Sequence, residues 1–84
     1  MHYVYVLKSE LYLKYYIGCT GDLDKRLIRH NEGLSKYTKK YKPWNVIYSE
    51  AYIDKFAAFR REKYLKSHAG RNFLKKVWGG SSIG

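Results

Sequence analysis

Three placements of polar residues in this sequence could carry chemistry. Glu62 lies four residues after Ala58 and three before Leu65, so on a helix its carboxylate shares their face. It is either a rim salt-bridge partner for Arg26 or Lys66, or a metal ligand or general base. Arg26 and His30 are four apart, with Arg29 one turn from Arg26. On a helix that is either an ordinary solvated face or a holder for a phosphate oxygen and a water. Tyr3 and Tyr5 share strand parity and project from one sheet face, and Tyr16 on the next strand would stand near Tyr5. The bland role for these rings is a cross-strand aromatic pair. The chemical role is proton transfer, for which an ordinary phenol, with a pKa near ~10, is a poor base unless cations lower it.

The elements that must position these groups follow from the pattern. His2 to Lys8 is rich in β-branched and aromatic residues and reads as a strand. After a turn at Ser9 to Leu11, Leu13 to Cys19 reads as a second strand, antiparallel because the connection is short. Asp22 is placed to cap a helix over Leu23 to Glu32, and Gly33 to end it. Leu34 to Pro43 is a lysine-rich loop. Trp44 to Tyr52 reads as a third strand, with Val46 and Tyr48 on one parity and Ile47 on the other. Asp54 caps a second helix to about Ser67. Gly70 interrupts, and Asn72 to Trp78 form a short last helix. The expected fold is α/β, an α+β sandwich: one small antiparallel sheet with helices against it. Residues 1–78 form the domain and 79–84 a flexible tail.

Composition narrows the function. The 84 residues carry 17 Lys and Arg against 7 Asp and Glu, a net charge of +10. Such a surplus attracts polyanions, and nucleic acid is the commonest. One cysteine cannot form an internal disulfide, and one cysteine with three scattered histidines gives no zinc spacing. Without a signal-peptide pattern or a long apolar run, the expectation is a cytoplasmic protein with no membrane contact. No organic cofactor is expected. Lys36, Lys39, Lys40 and Lys42 cluster in the loop with Tyr37 between them, which suits phosphate contact with sugar or base packing.

These residues also occur in a familiar order. Tyr3-Val4-Tyr5, ten residues, then Tyr16-Ile17-Gly18 resembles the two-part signature of the GIY-YIG nuclease superfamily. Thr20, Arg26 and His30 are similar to its T-x5-R-x3-H segment, and Ala58, Glu62 and Leu65-Lys66 to its A-x3-E-x2-L-K helix. The likeness runs from Tyr3 to Trp78 and is greatest to the small stand-alone bacterial members. It implies a central three-stranded antiparallel sheet flanked by helices, and metal-dependent hydrolysis of nucleic-acid phosphodiesters. By position it implies catalytic roles for Tyr5, Tyr16, Arg26 and His30, and a metal-binding glutamate at Glu62. Asn72 is a loose match to a polar residue after the second helix. Tyr3 replaces the first glycine of the signature. Cys19 stands where several members have lysine, which leaves the activation of water to Tyr5.

The expected function is therefore a metal-dependent endonuclease, acting on DNA in preference to RNA and selecting structure rather than sequence. One Mg²⁺ or Mn²⁺ ion is expected on Glu62, since no second close carboxylate is evident. The residues would converge on one open sheet face. The alternative is a nucleic-acid binding module that kept the fold and lost useful activity.

Overall fold

The computed structural model describes residues 1–34 and 36–76. Three strands, β1 (His2–Ser9), β2 (Tyr15–Thr20) and β3 (Trp44–Tyr52), form one antiparallel sheet in the order β2-β1-β3. Helix α1 is Leu23–Asn31, α2 is Lys55–Lys66 and α3 is His68–Leu74. A short 3-10 turn covers Thr38–Lys40. The expected tail over 79–84, and Val77 and Trp78 of the expected last helix, lie outside the described residues.

Because β1 is the middle strand, its side chains are covered on both sides, and Val4, Tyr5, Val6 and Leu7 are all buried. The two parities feed two separate cores. Val4 and Val6 pack with Ile17 of β2, with Ala58 and Leu65 of α2, and with Leu74 of α3. Tyr5 and Leu7 pack with Trp44 and, half-buried, with Leu23 and Leu27 of α1. The sheet is thus a middle layer between α1 and the α2–α3 pair.

The helix ends are written locally. Asp22 accepts the Lys25 N–H at 3.1 Å and Asp54 accepts the Phe56 N–H at 3.0 Å, each satisfying an orphan first-turn donor. Gly33, at φ +80°, closes α1. Its N–H donates to the His30 carbonyl and the Leu34 N–H to the Arg29 carbonyl, both at 3.2 Å, the paired bonds of a Schellman ending.

Three expectations need correction. The second strand starts at Tyr15, not Leu13, because Ser9 Oγ accepts the Leu11 and Tyr12 N–H groups and draws that segment into a turn. Val46 and Tyr48 do not share a face. The register pairs Val6 with Tyr48 but Leu7 with Val46, so Ile47 is an extra residue in a bulge that reverses the alternation. Val46 faces the Tyr5 core and Tyr48 the Val6 core. Gly70 does not interrupt a helix. It is buried within α3, which begins earlier, where Ser67 Oγ accepts the Gly70 N–H at 3.2 Å. A Cβ at Gly70 would overlap the Tyr64 carbonyl and the Leu65 Cα. This glycine is present so that α3 can touch α2.

On the α2 side, β3 carries a half-buried polar knot. Glu50 accepts Arg61 Nε at 2.9 Å and Nη2 at 3.0 Å, Tyr52 Oη at 2.6 Å, and Tyr48 Oη. Burial alone would raise the Glu50 carboxyl, but the bonds from Arg61 and the tyrosines outweigh it and hold it below its ordinary value. Burial, then the bond to Glu50 and its negative charge, push Tyr52 up to about 12, with Arg61 pulling the other way. The Arg61 guanidinium also lies over the Tyr64 ring at 5.1 Å and the Phe73 ring at 4.9 Å.

Gly70→Ala tests the close helix contact. The methyl meets backbone, which cannot rotate away, so the unfolding free energy should fall by about 1–3 kcal/mol or more. Urea unfolding followed by circular dichroism measures it. An unchanged midpoint would mean that α3 does not lie this close to α2.

Candidate functional site

The site is built around a buried tyrosine. Tyr5 pairs across the ladder with Gly18, and its ring lies over that glycine. A Cβ at residue 18 would stand 2.5 Å from Tyr5 Oη and 2.6 Å from its Cζ, and 3.0 Å from the Tyr16 ring. The missing side chain gives the phenol its place at the β2 edge. There Tyr5 Oη is hydrogen-bonded to His30 Nε2 at 3.1 Å.

His30 arrives from the last turn of α1 and is 2% exposed. Its other nitrogen, Nδ1, is hydrogen-bonded to Thr38 Oγ1 at 2.9 Å. Thr38 is fully buried, and its carbonyl accepts Trp44 Nε1–H at 2.8 Å. The Trp44 backbone is held in turn by Asn31: its N–H donates to Oδ1 at 2.5 Å, and its carbonyl accepts Nδ2–H at 3.1 Å. Loop, α1 and β3 therefore lock together around the imidazole.

Electrostatics keep the pair neutral. Burial, then the positive charges of Arg26 and Arg29, lower the His30 value below 6.5. Burial foremost pushes the Tyr5 phenol far above its ordinary value, with Arg26 pulling the other way. A neutral imidazole donates at one nitrogen and accepts at the other, which satisfies both of its bonds here.

A recess of about 100 Å³ opens beside this pair, lined by Tyr16, Arg26, Arg29, His30 and Leu34. The Tyr16 ring lies 4.9 Å from the His30 ring and 6.2 Å from the Tyr5 ring, centroid to centroid. Two guanidinium groups and a phenol around so small a volume suit one phosphate group.

Glu62 is placed differently from the sequence expectation of a single open face. It lies on α2, with Ala58 and Leu65, whose core is on the opposite side of the sheet from Tyr5. It is half-buried, and Oε2 accepts Lys66 Nζ at 2.8 Å. Its charge is still felt on the other side: it raises both Tyr5 and the half-buried Cys19 thiol, in each case after burial. Four of the five expected residues thus meet on the α1 face, and the carboxylate stands on the helix of the other face. No group of three His, Cys, Asp or Glu side chains gathers to hold a metal among the described residues. One partly buried carboxylate fits a hard divalent ion that keeps most of its waters.

The loop residues Lys36, Tyr37, Lys39, Lys40 and Lys42 are all exposed. Asn72 is exposed on α3. Sequence reasoning missed Thr38, which looks like any polar residue among lysines and is marked only by its contacts. It also left Arg29 as a neighbour of Arg26, whereas both line the recess.

Residues 1–76 match the GIY-YIG catalytic domain family. The chain belongs to that family. It is 35% identical over 77 residues to a UPF0213 protein of Staphylococcus saprophyticus, covering 90% of this chain and 93% of the relative. It is 39% identical over 66 residues to the UPF0213 protein YazA of Bacillus subtilis, covering 77% and 66%. The solution structure of a UPF0213 protein from Bacillus halodurans has the same fold, with a TM-score of 0.56 and 33% identity over 94% of this chain and 86% of that one. Family membership supports an endonuclease-type function and a nucleic-acid substrate. No helix among the described residues is long and apolar enough to cross a membrane.

The buried neutral histidine has a consequence for stability. Its folded value lies below the unfolded 6.5, so its contribution is complete above 6.5 and is lost as pH falls through the folded value. Urea midpoints of the wild type should therefore decline below about pH 6.5, and His30→Gln should flatten that decline. Glu50 acts in a separate, lower window, below 4.5. A decline of the same steepness in His30→Gln would assign the pH sensitivity to another group.

Proposed function

We propose that this protein is a metal-dependent endonuclease that hydrolyses phosphodiester bonds in DNA, selecting substrates by structure and not by sequence. The observation that carries this reading is the Tyr5 Oη to His30 Nε2 bond at 3.1 Å beside a recess lined by Arg26 and Arg29.

The scissile phosphate occupies that recess. Arg26 and Arg29 clamp its non-bridging oxygens, and the charge that grows on them in the phosphorane strengthens the clamp. Tyr16 supplies a phenolic donor to the same group. Water loses a proton to Tyr5 Oη as the Tyr5 proton moves to His30 Nε2, with Nδ1–H held by Thr38. The hydroxide so formed adds to phosphorus, the bond from phosphorus to the leaving sugar oxygen breaks, and that oxygen takes a proton from solvent, to which His30 returns its own. In the free protein the two arginines oppose an imidazolium. A bound phosphate neutralises them, so the substrate itself eases the transfer. Cys19 cannot stand in for a lysine, because burial and then Glu62 keep its thiol protonated. Glu62 would hold one Mg²⁺ or Mn²⁺ ion, which supplies Lewis-acid stabilisation of phosphate charge when bound.

Nicking of DNA with Mg²⁺ tests the reading. Arg26→Ala should lower turnover at saturating substrate by about 10²–10³-fold and weaken binding far less. Glu62→Gln should bind DNA and fail to nick it. A wild-type protein that binds but never cleaves, across branched, nicked and single-stranded DNA, would overturn the enzymatic reading and leave a binding module.

Recognition rests on the exposed loop. Twelve of the 17 basic residues are lysines, which meet phosphates as point charges more readily than they read base edges. If about 4–6 phosphates are neutralised, log K should fall against log salt with a slope of about −4 to −5 on duplex DNA. Replacing Lys36, Lys39, Lys40 and Lys42 together should flatten that slope. Strong discrimination between duplexes of one shape and different sequence would count against this account.

A further inference from the structure

Next to the small recess lies a larger cavity, of about 760 Å³, between β2, the loop and α3. The two share Tyr16. The cavity has an apolar floor, Ile17 and Leu74, both buried. Tyr37 stands at its wall, 44% exposed, 6.2 Å from the Tyr16 ring and 5.3 Å from the Tyr41 ring. Lys14, Lys66, Arg71 and Lys75 also line it, and among the described residues no acidic side chain does. Lys66 is engaged by Glu62. Lys14, Arg71 and Lys75 are exposed and form no salt bridge among the described residues.

We infer that this cavity binds the base of an unpaired nucleotide adjacent to the scissile phosphate. It rests on the placing of that phosphate in the arginine recess. An occupant must be anionic at its rim and flat and apolar at its centre. A nucleotide meets both demands: its base packs against Tyr37 and Tyr16 over the apolar floor, and its phosphates meet Lys14, Arg71 and Lys75. A base stacked in a duplex cannot enter, because its faces are covered and its edge is paired. The substrate therefore carries a splayed nucleotide at the cut, as in a single strand, flap or gap. Electrostatics alone would favour the duplex, which has the higher charge density. A preference for the single strand must then come from a base-binding surface.

Binding of a 12-nucleotide DNA and of its blunt duplex, measured by fluorescence anisotropy in EDTA at fixed salt, tests this without turnover. The single strand should bind about tenfold tighter than the duplex, the range that one stacked base supplies. Tyr37→Ala should cost the single strand about tenfold and the duplex far less. Arg71→Ala with Lys75→Ala, two exposed positions away from the aromatic packing, should weaken the single strand several-fold more than the duplex. A 2-aminopurine in the strand should change its fluorescence on binding to the wild type and not to Tyr37→Ala. Equal affinities for the two DNAs, or equal losses on both, would overturn the proposal. Cleavage without the preference sinks the cavity and spares the nuclease reading. The Tyr37-dependent preference without any cleavage does the reverse.

Discussion

The Tyr5 phenol lies across Gly18, where a Cβ would come within 2.5 Å of its oxygen. The hydrogen-bonded part of the site depends on that vacancy. It lets a central-strand tyrosine lie over β2 and meet His30 Nε2. The second nitrogen of His30 then needs its own partner, since a buried polar atom without one is costly. Thr38 provides it, and the Trp44 indole and Asn31 hold the loop and β3 in place behind it. The result is a continuous hydrogen-bonded chain from the middle of the sheet to the loop. Displacing the phenol would leave His30 Nε2 without its partner.

The chain is neutral in a strongly basic protein. Burial holds the phenol and the imidazole uncharged, and Arg26 and Arg29 reinforce this for His30. Positive charge stands at the rim and neutral proton carriers stand behind it. Such an arrangement is poised for an anion, because an anion relieves the repulsion that keeps the histidine neutral. Affinity for phosphate and readiness for proton transfer then have one physical origin.

The carboxylate comes from a different layer. Helix α2 packs on the far face of the sheet through Ala58 and Leu65, and Glu62 shares their side of the helix. Its position depends on how α2 is rotated. Arg61, the preceding residue, is fixed by two bonds to Glu50 and by the Tyr64 and Phe73 rings. Gly70 lets α3 brace the same helix from the C-terminal side. The Glu50 knot and the helix contact therefore orient a carboxylate that touches neither of them.

Much of this was legible in the sequence because it is local. Strand β3 runs from Trp44 to Tyr52, and α1 and α2 start after Asp22 and Asp54 as their caps require. The spacing of Tyr5, Tyr16, Arg26, His30 and Glu62 carried the family likeness. What the sequence did not hold is long-range. The Ile47 bulge reverses which side chains face α1, and a period-two pattern cannot show an inserted residue until the partner strand sets the register. Gly70 reads as a breaker but is a contact point, because only the approach of α2 gives its missing Cβ a meaning. Thr38 became a partner of His30 only when the lysine loop folded back on α1. The residues expected on one face are divided between the α1 and α2 faces, since the side on which each helix packs is a property of the whole chain.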